Sequence, residues 1–168
     1  MAVRELMFPE SKPASPSAGV ARSNRTYFRR AWATRKPLFT DRLASAWLIR
    51  RFIDPEASLI WLDKGATCPA TAVSFGFDDA TFHNSKHEVT YEQLLGSFKL
   101  NRNPALVKIG RLVHVLEAGG SRVAEAAGVE TLLAGAKRRA TTDDELLAET
   151  EKTFDLLYEA YFEVPARA

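Results

Sequence analysis

The stretch from Thr40 to Pro55 constrains the fold more than any other part of this sequence. It reads T-D-R-L-A-S-A-W-L-I-R-R-F-I-D-P, and its large apolar side chains recur at helical spacing. Thr40 is suited to cap the start of a helix, and the carboxylate of Asp41 falls in the first turn, where the helix dipole favours negative charge. Pro55 limits the helix at its other end. We therefore predict one amphipathic helix over residues 41–53, with arginines beside its apolar stripe.

Apolar runs of strand length lie on both sides of this helix. Before it, residues 26–33 are rich in aromatic residue types that favour strands. After it, residues 58–62 (S-L-I-W-L) form a mostly apolar run, and residues 73–77 alternate between large apolar and small side chains. Residues 80–83 are then predicted to return as a fourth strand. The β part of the protein therefore lies early in the chain.

From Thr90 onward the pattern becomes helical. T-Y-E-Q beginning at Thr90 and T-D-D-E beginning at Thr142 match the capping-box template, with Gln93 expected to reach back in the first of them. The Asn-Pro pair at 103–104 is a helix start signal, and the Gly-Gly pair at 119–120 is a stop signal. The predicted fold class is α+β, a small early β-sheet packed with a cluster of C-terminal helices. The helices are expected over residues 90–100, 104–118, 123–127, 129–139 and from 143 onward.

Residues 1–25 differ from the rest of the chain. They contain three prolines and little periodic apolar pattern, which predicts an irregular arm. Residues 26–168 are then expected to form one domain with a sizeable core. Charge is also divided unevenly, because residues 1–36 hold eight basic and two acidic side chains while the remainder holds 15 and 19. The basic arm is either a solvated tail or a segment that docks on the body, on a protein partner or on nucleic acid.

Several classes of protein are disfavoured. No run of about 18 apolar residues is present, so we expect no membrane span, and Arg4 and Glu5 precede no apolar leader, so we expect no secretory signal. Cys68 is the only cysteine, which excludes an internal disulfide and a CxxC metal site and fits the reducing cytoplasm. The G-x-S-x-G, P-loop and G-x-G-x-x-G motifs are absent. We therefore expect a cytoplasmic protein without an activated nucleophile.

The histidines show two spacings suited to metal binding. His83 and His87 are separated by three residues, and His114 precedes Glu117 by three positions, which places that pair on one helix face. Histidine nitrogen together with carboxylate oxygen suits zinc, manganese or iron. These four residues therefore form a candidate site for a divalent transition metal. The alternative is a structural pairing of His114 with Glu117.

A second candidate site is cationic. Arg42, Arg50 and Lys86 are candidate oxyanion ligands, since a guanidinium fork grips two oxygens at once. The alternative is that Arg50 and Arg51 pair with the acidic residues of the D-P-E segment that follows them. The basic cluster at 137–139 leaves a helix-turn-helix open, against the simpler interpretation of a solvated helix end.

Three segments carry a resemblance to a known family. They are D-R-L-A-S-A-W-L-I-R-R-F-I-D-P, then F-H-N-S-K-H-E-V-T-Y-E-Q, then I-G-R-L-V-H-V-L-E. In this order they resemble the C-terminal domain of the chromate-resistance protein B (ChrB) family. The resemblance covers most of residues 34–162 and is strongest in the first segment.

The resemblance implies a role in chromate resistance, as sensing or regulation linked to a chromate efflux pump. The sequence departs from the family pattern at Val89, where a cysteine is common, and at Glu117, where aspartate is usual. His87 has no counterpart in the pattern. The resemblance points to His83, His114, Glu117, Glu92 and the Asp41-Arg42 pair as the family-pattern positions of this sequence.

Three functions follow as hypotheses. In the first, the chain is a metal- or oxyanion-binding sensor or accessory domain for chromate resistance. In the second, the same His/Glu site is the centre of a metal-dependent redox or hydrolytic enzyme. In the third, the chain is a regulatory module that binds a protein partner through the basic arm.

Overall fold

The computed structural model describes residues 26–162. Three short strands are present: β1 (Ala31–Arg35), β2 (Ser58–Leu62) and β3 (Val73–Ser74). They form a parallel sheet in the order β2-β1-β3. Parallel neighbours need a crossover connection, and the helix α1 (Thr40–Leu48) supplies it between the first two strands. A π-helical turn, Ile49–Ile53, continues α1 directly, so the predicted helix over 41–53 is present with a changed geometry in its last turn.

Four further helices follow the sheet along the chain. Together with the early sheet they confirm the predicted α+β class. The predicted irregular arm over residues 1–25 lies outside the described residues. Within the part of the chain that the structure describes, no helix combines the length and the apolar character that a membrane span requires. The four helices are α2 (Thr90–Ser97), α3 (Pro104–Ala118), α4 (Ala126–Arg139) and α5 (Asp143–Tyr161).

Local sequence patterns placed some boundaries correctly. The strand over 58–62 is confirmed, as is the start of α3, where the Asn103 side chain accepts from the amides of Ala105 and Leu106. The first strand lies later than predicted, because Arg29 has a positive φ of 53° in the turn that precedes it. The return strand over 80–83 was wrong, since one isolated bridge to Phe82 replaces it.

The predicted caps of the first two helices were also wrong. Thr40 and Thr90 are the first residues inside α1 and α2, and neither hydroxyl caps its own helix. The reason is that carboxylates from other elements, Glu117 and Asp41, already accept from the amides at these helix starts. The cap at Thr142 is confirmed, because its side chain accepts from the amide of Glu145.

Buried polar contacts tie α1 and its π-helical turn to α5. The carboxylate of Asp155, itself 6% exposed, accepts from the indole of Trp47 at 2.9 Å. It also accepts from the Arg51 guanidinium at 2.7 and 2.8 Å. Arg51 therefore pairs with a distant acid and not with the acids that follow it in sequence. Removing one partner of such a buried pair typically costs about 3–5 kcal/mol, so this contact fixes the last helix against the core.

Candidate functional site

Two carboxylates hold the starts of two helices beside the sheet. Glu117, on α3, accepts from the backbone amide of Asp41 at 2.9 Å. The Asp41 carboxylate in turn accepts from the amides of Thr90 at 3.0 Å and Tyr91 at 2.9 Å, at the start of α2. A helix start leaves amides without partners and attracts negative charge, so each carboxylate satisfies donors that the helix cannot. The two acids thus connect α3 to α1 and α1 to α2.

A third carboxylate extends this network to a histidine. Glu92 accepts from the amide of Val89 at 3.0 Å, and the same oxygen lies 2.6 Å from Nδ1 of His114. His114 therefore pairs with Glu92, on the neighbouring helix α2, and not with Glu117 as the i,i+3 spacing suggested. The contact joins α2 to α3, so the three helices are linked pairwise by acidic side chains.

Burial changes the protonation of Asp41. The side chain is 4% exposed, and loss of hydration raises its pKa from 3.8 to about 6. The negative charge of Glu117 acts in the same direction, while the donated amides of Tyr91 and Thr90 and the Ser45 hydroxyl act against it. Asp41 therefore titrates not far below neutral pH.

A cavity of about 440 Å³ opens beside the start of α1. Its volume is in the range of small-molecule sites in proteins, and both signs of charge line it. Two aromatic rings, Phe39 and Phe77, form part of the wall. The charged and polar side chains that line it are Arg35, Asp41, Arg42, Asp78, Asn84 and Glu117.

Arg42 is fixed at this cavity by backbone carbonyls. Its Nε donates to the carbonyl of Gly76, and its Nη1 donates to those of Arg35 and Pro37, each at 2.8 Å. The guanidinium also lies 4.7 Å from the centroid of the Phe39 ring. Within residues 26–162 its other terminal nitrogen, Nη2, has no hydrogen-bond partner. Burial lowers the pKa of Arg42, against the opposing charges of nearby acids, but a guanidinium keeps its charge at neutral pH.

A second guanidinium lies on the same cavity. Arg35, at the end of β1, donates through Nη1 to the carbonyl of Ala66 at 2.8 Å and lies 4.5 Å from the centroid of the Phe77 ring. Stacking on an aromatic face leaves the edge of a guanidinium available for hydrogen bonds. The cavity thus presents two oriented cations, one from the sheet and one from α1.

Gly76 allows the Arg42 side chain to take this path. Its φ is +79°, and a Cβ atom placed there would lie 3.0 Å from Cγ of Arg42 and 3.0 Å from Oγ1 of Thr34. The Thr34 side chain is fully buried, and its Oγ1 is a buried side-chain oxygen without a partner among the described residues. An unsatisfied hydroxyl beside the cavity wall is unusual, since buried polar groups are normally paired.

Comparison with known proteins identifies the family. Residues 32–161 match the family model described as ChrB, C-terminal domain. The chain belongs to the ChrB C-terminal domain family. It is 42% identical over 164 residues to Protein ChrB of Cupriavidus metallidurans, a match that covers 97% of this chain and 50% of that protein. The chain therefore spans about half the length of this relative. No solved structure matches it.

Family membership confirms the resemblance found in the sequence. Asp41, Glu92, His114 and Glu117 all belong to the network of acid contacts at the helix starts. Arg42 lies beside that network and lines the cavity. In this ChrB-family chain the family-pattern positions thus meet at the junction of three helices, except for His83.

The predicted oxyanion ligands separate into two groups. Arg42 lies on the cavity, as described above. Arg50 points elsewhere, because its side chain is 46% exposed and its Nε lies 3.3 Å from the carboxylate of Glu151 on α5. Lys86 is exposed and is not part of the cavity lining. Sequence reasoning missed Arg35, which was counted only as a charge of the basic segment.

The predicted metal ligands do not form a shared centre. His83 Nδ1 lies 2.8 Å from the carbonyl of Ala80, and His87 is exposed. His114 and Glu117 engage different partners, as described above. Among residues 26–162, no group of three or more histidine, cysteine, aspartate or glutamate side chains is arranged to hold a metal ion. The donor set as arranged does not fit a transition-metal centre, and the metal stays a prediction from sequence.

One further cavity residue could have been found from the family segment. Asn84 follows His83 directly, and its Oδ1 accepts from the amide and the hydroxyl of Thr90 at 2.8 and 2.7 Å. Asparagine in a histidine-rich loop is an ordinary turn residue, so its type carried no functional signal. Its position next to His83 was the available clue.

Proposed function

We propose that this ChrB-family chain is an oxyanion-binding sensor or accessory domain for chromate resistance, and that a chromate-like anion binds in the cavity beside α1. The observation that carries the proposal is the Arg42 guanidinium, held by three backbone carbonyls with Nη2 unpaired among the described residues. Arg35 supplies a second guanidinium on the same cavity.

The chemistry of these groups favours an oxyanion. A tetrahedral oxyanion offers several acceptor oxygens, and guanidinium groups bind such oxygens through short, charge-assisted hydrogen bonds. Because Arg42 is already fixed by the protein, its side chain loses little conformational freedom on binding. Its partial burial also weakens its hydration, so exchanging water for an anion costs less there than at an exposed arginine.

The acids that line the cavity weaken the expected binding of an anion. Asp41, Asp78 and Glu117 place negative charge near the two arginines. Coulombic repulsion from these acids opposes a dianion and is weakened by salt. We therefore expect affinity in the range of a sensor that releases its ligand, and not that of a permanent cofactor site.

Calorimetric titration with sulfate and with chromate tests the proposal. Arg42→Ala is expected to lower affinity by about tenfold or more, since a hydrogen bond to a charged group contributes about 1.5–3 kcal/mol. Arg50→Ala is the matched control, because Arg50 lies in the π-helical turn that continues the same helix and pairs with Glu151, away from the cavity. Circular dichroism of each variant checks that it is folded. Equal affinity of Arg42→Ala and the wild-type chain would refute the assignment.

The same preparation separates this proposal from the alternatives. A binding domain takes up oxyanion without turnover, whereas a metal-dependent enzyme needs bound zinc, manganese or iron and loses activity on chelation. Elemental analysis with His83→Ala and His114→Ala therefore decides the metal hypothesis.

A role for residues 1–25 in partner binding is tested by deleting them and measuring association with a candidate partner. We place the chain in the cytoplasm in this proposal, because Cys68 as a lone cysteine fits a reducing compartment.

A further inference from the structure

Glu117 occupies a position that an incoming anion would favour. Its carboxylate lines the cavity and accepts from the amide of Asp41, in the first turn of α1, at 2.9 Å. Arg42 lines the same wall, and the charge of Glu117 raises the pKa of its guanidinium even though burial lowers that pKa overall. Glu117 therefore satisfies the Asp41 amide as a bound anion would, and its negative charge acts on the Arg42 guanidinium as the charge of an anion would.

We propose that Glu117 is a specificity-determining residue of this cavity: its carboxylate is a tethered competitor that an oxyanion must displace from the start of α1. The inference rests on the proposed function, since it concerns the same cavity and ligand class. It assigns to Glu117 a role that opposes binding, in contrast to the two arginines.

The charges of the wall support this role. An anion bound to Arg42 would lie near the ionised carboxylate of Glu117, and two like charges at short range repel each other. The repulsion falls when Glu117 leaves the amide of Asp41, and the anion is then able to accept from that amide. A ligand that cannot accept from this amide gains no hydrogen bond that offsets the repulsion. Glu117 thus selects for anions with several acceptor oxygens.

The displacement would also carry a signal through the fold. The contact between Glu117 and the Asp41 amide joins α3 to α1. Replacing it by a contact to a free anion removes this link between the two helices, because the anion is not attached to α3. A sensor needs such a difference between its free and bound states.

Glu117→Gln provides the main test by calorimetric titration with sulfate. A glutamine oxygen is still able to accept from the Asp41 amide, so the helix start keeps its acceptor while the charge is removed. Affinity is expected to rise by roughly 3- to 10-fold. Glu145→Gln is the matched control, since the Glu145 carboxylate also accepts from a backbone amide at a helix start, that of Thr141 before α5, but does not line the cavity. Its sulfate affinity is expected to equal that of the wild-type chain.

Nuclear magnetic resonance separates failure of this inference from failure of the proposed function. Saturating sulfate is expected to shift both the Nε resonance of Arg42 and the amide resonance of Asp41. A shift of Arg42 alone, or an affinity that Glu117→Gln leaves unchanged or lowers, would overturn the competitor role while leaving the oxyanion site intact. If neither resonance moves and no heat of binding is detected with either chain, the oxyanion site itself is wrong, and the competitor role with it.

Discussion

Protonation of Asp41 is expected to stabilise the folded chain as the pH falls from 7 to 5. The carboxylate has a pKa of about 6 in the folded state against 3.8 for an ordinary aspartate, chiefly because burial removes its hydration. The folded state therefore binds more protons than the unfolded state between these two values, and its stability must decrease as the pH rises through this window. The contribution is fully present below 3.8 and is lost above about 6.

The size of the effect follows from the two pKa values. One pKa unit corresponds to about 1.4 kcal/mol, so the full window amounts to roughly 3 kcal/mol. Between pH 7 and pH 5 only part of the window is crossed, and the expected gain in the free energy of unfolding is roughly 1 kcal/mol. This is a measurable fraction of the stability of a domain of this size.

Urea denaturation at pH 5, 6 and 7, followed by tryptophan fluorescence, provides the assay. Asp41→Asn is the reference, because it removes the titrating group while one oxygen remains to accept from an amide at the start of α2. Other groups titrate in both chains, so the difference between their free energies of unfolding isolates Asp41. That difference is expected to shift in favour of the wild-type chain by roughly 1 kcal/mol from pH 7 to pH 5.

Asp78→Asn controls for the general loss of one negative charge on the cavity wall. Asp78 lines the cavity but is exposed, so its substitution should leave the pH dependence parallel to that of the wild-type chain. Parallel curves for the wild-type chain and Asp41→Asn would show that the Asp41 carboxylate is as well hydrated as a surface acid, and the reasoning from burial would then be wrong.

Two substitutions with matched controls examine the core and the cavity wall. Asp155→Ala should lower the free energy of unfolding by about 3–5 kcal/mol, since it leaves the buried partners of this carboxylate without an acceptor. Glu149→Ala removes one member of an exposed pair and should cost about 1 kcal/mol or less. Comparable losses in urea denaturation would contradict the burial argument. Gly76→Ala and Gly65→Ala share nearly the same φ, +79° and +80°, but only the first would place a Cβ against Arg42. Both should therefore lose about 1 kcal/mol of stability from the left-handed backbone, and Gly76→Ala should lose more because of these close contacts. Only Gly76→Ala should weaken sulfate binding, and equal binding by the two variants would show that Arg42 needs no clearance at Gly76.

The elements that sequence predicted well are those decided by neighbouring residues. The strand over 58–62 and the helix start at the Asn-Pro pair depend on local side-chain type, and both were found where expected. The caps of α1 and α2 were missed because their acceptors come from far along the chain. Glu117 reaches an amide 76 positions earlier, and Asp41 reaches one 49 positions later. A capping box predicts that the acceptor for such an amide comes from the same helix turn. Here a carboxylate from a distant element accepts from the amide instead.

The candidate site was predicted only in part, because its residues also meet through contacts between distant parts of the chain. Arg42 and Glu117 were recognised from residue type and family pattern, yet their meeting at one cavity depends on how α3 packs against α1. Arg35 was missed because its role depends on the end of β1, which lies beside the start of α1 only in the folded chain. Arg50 was included because its residue type equals that of Arg42, and only the direction of its side chain toward α5 separates the two.

Substitutions of the family-pattern acids and substitutions of the arginines test different properties of this domain. Asp41 and Glu117 each satisfy backbone amides at helix starts, so substitutions that remove their oxygens damage the fold whether or not the cavity binds anything. A loss of chromate resistance after Glu117→Ala would therefore leave function and folding indistinguishable. Arg42 differs, because the groups it pairs with are backbone carbonyls of Gly76, Arg35 and Pro37 and not the amides that begin a helix. A functional defect in folded Arg42→Ala, combined with a gain of affinity in Glu117→Gln, is a pattern that loss of structure alone does not produce.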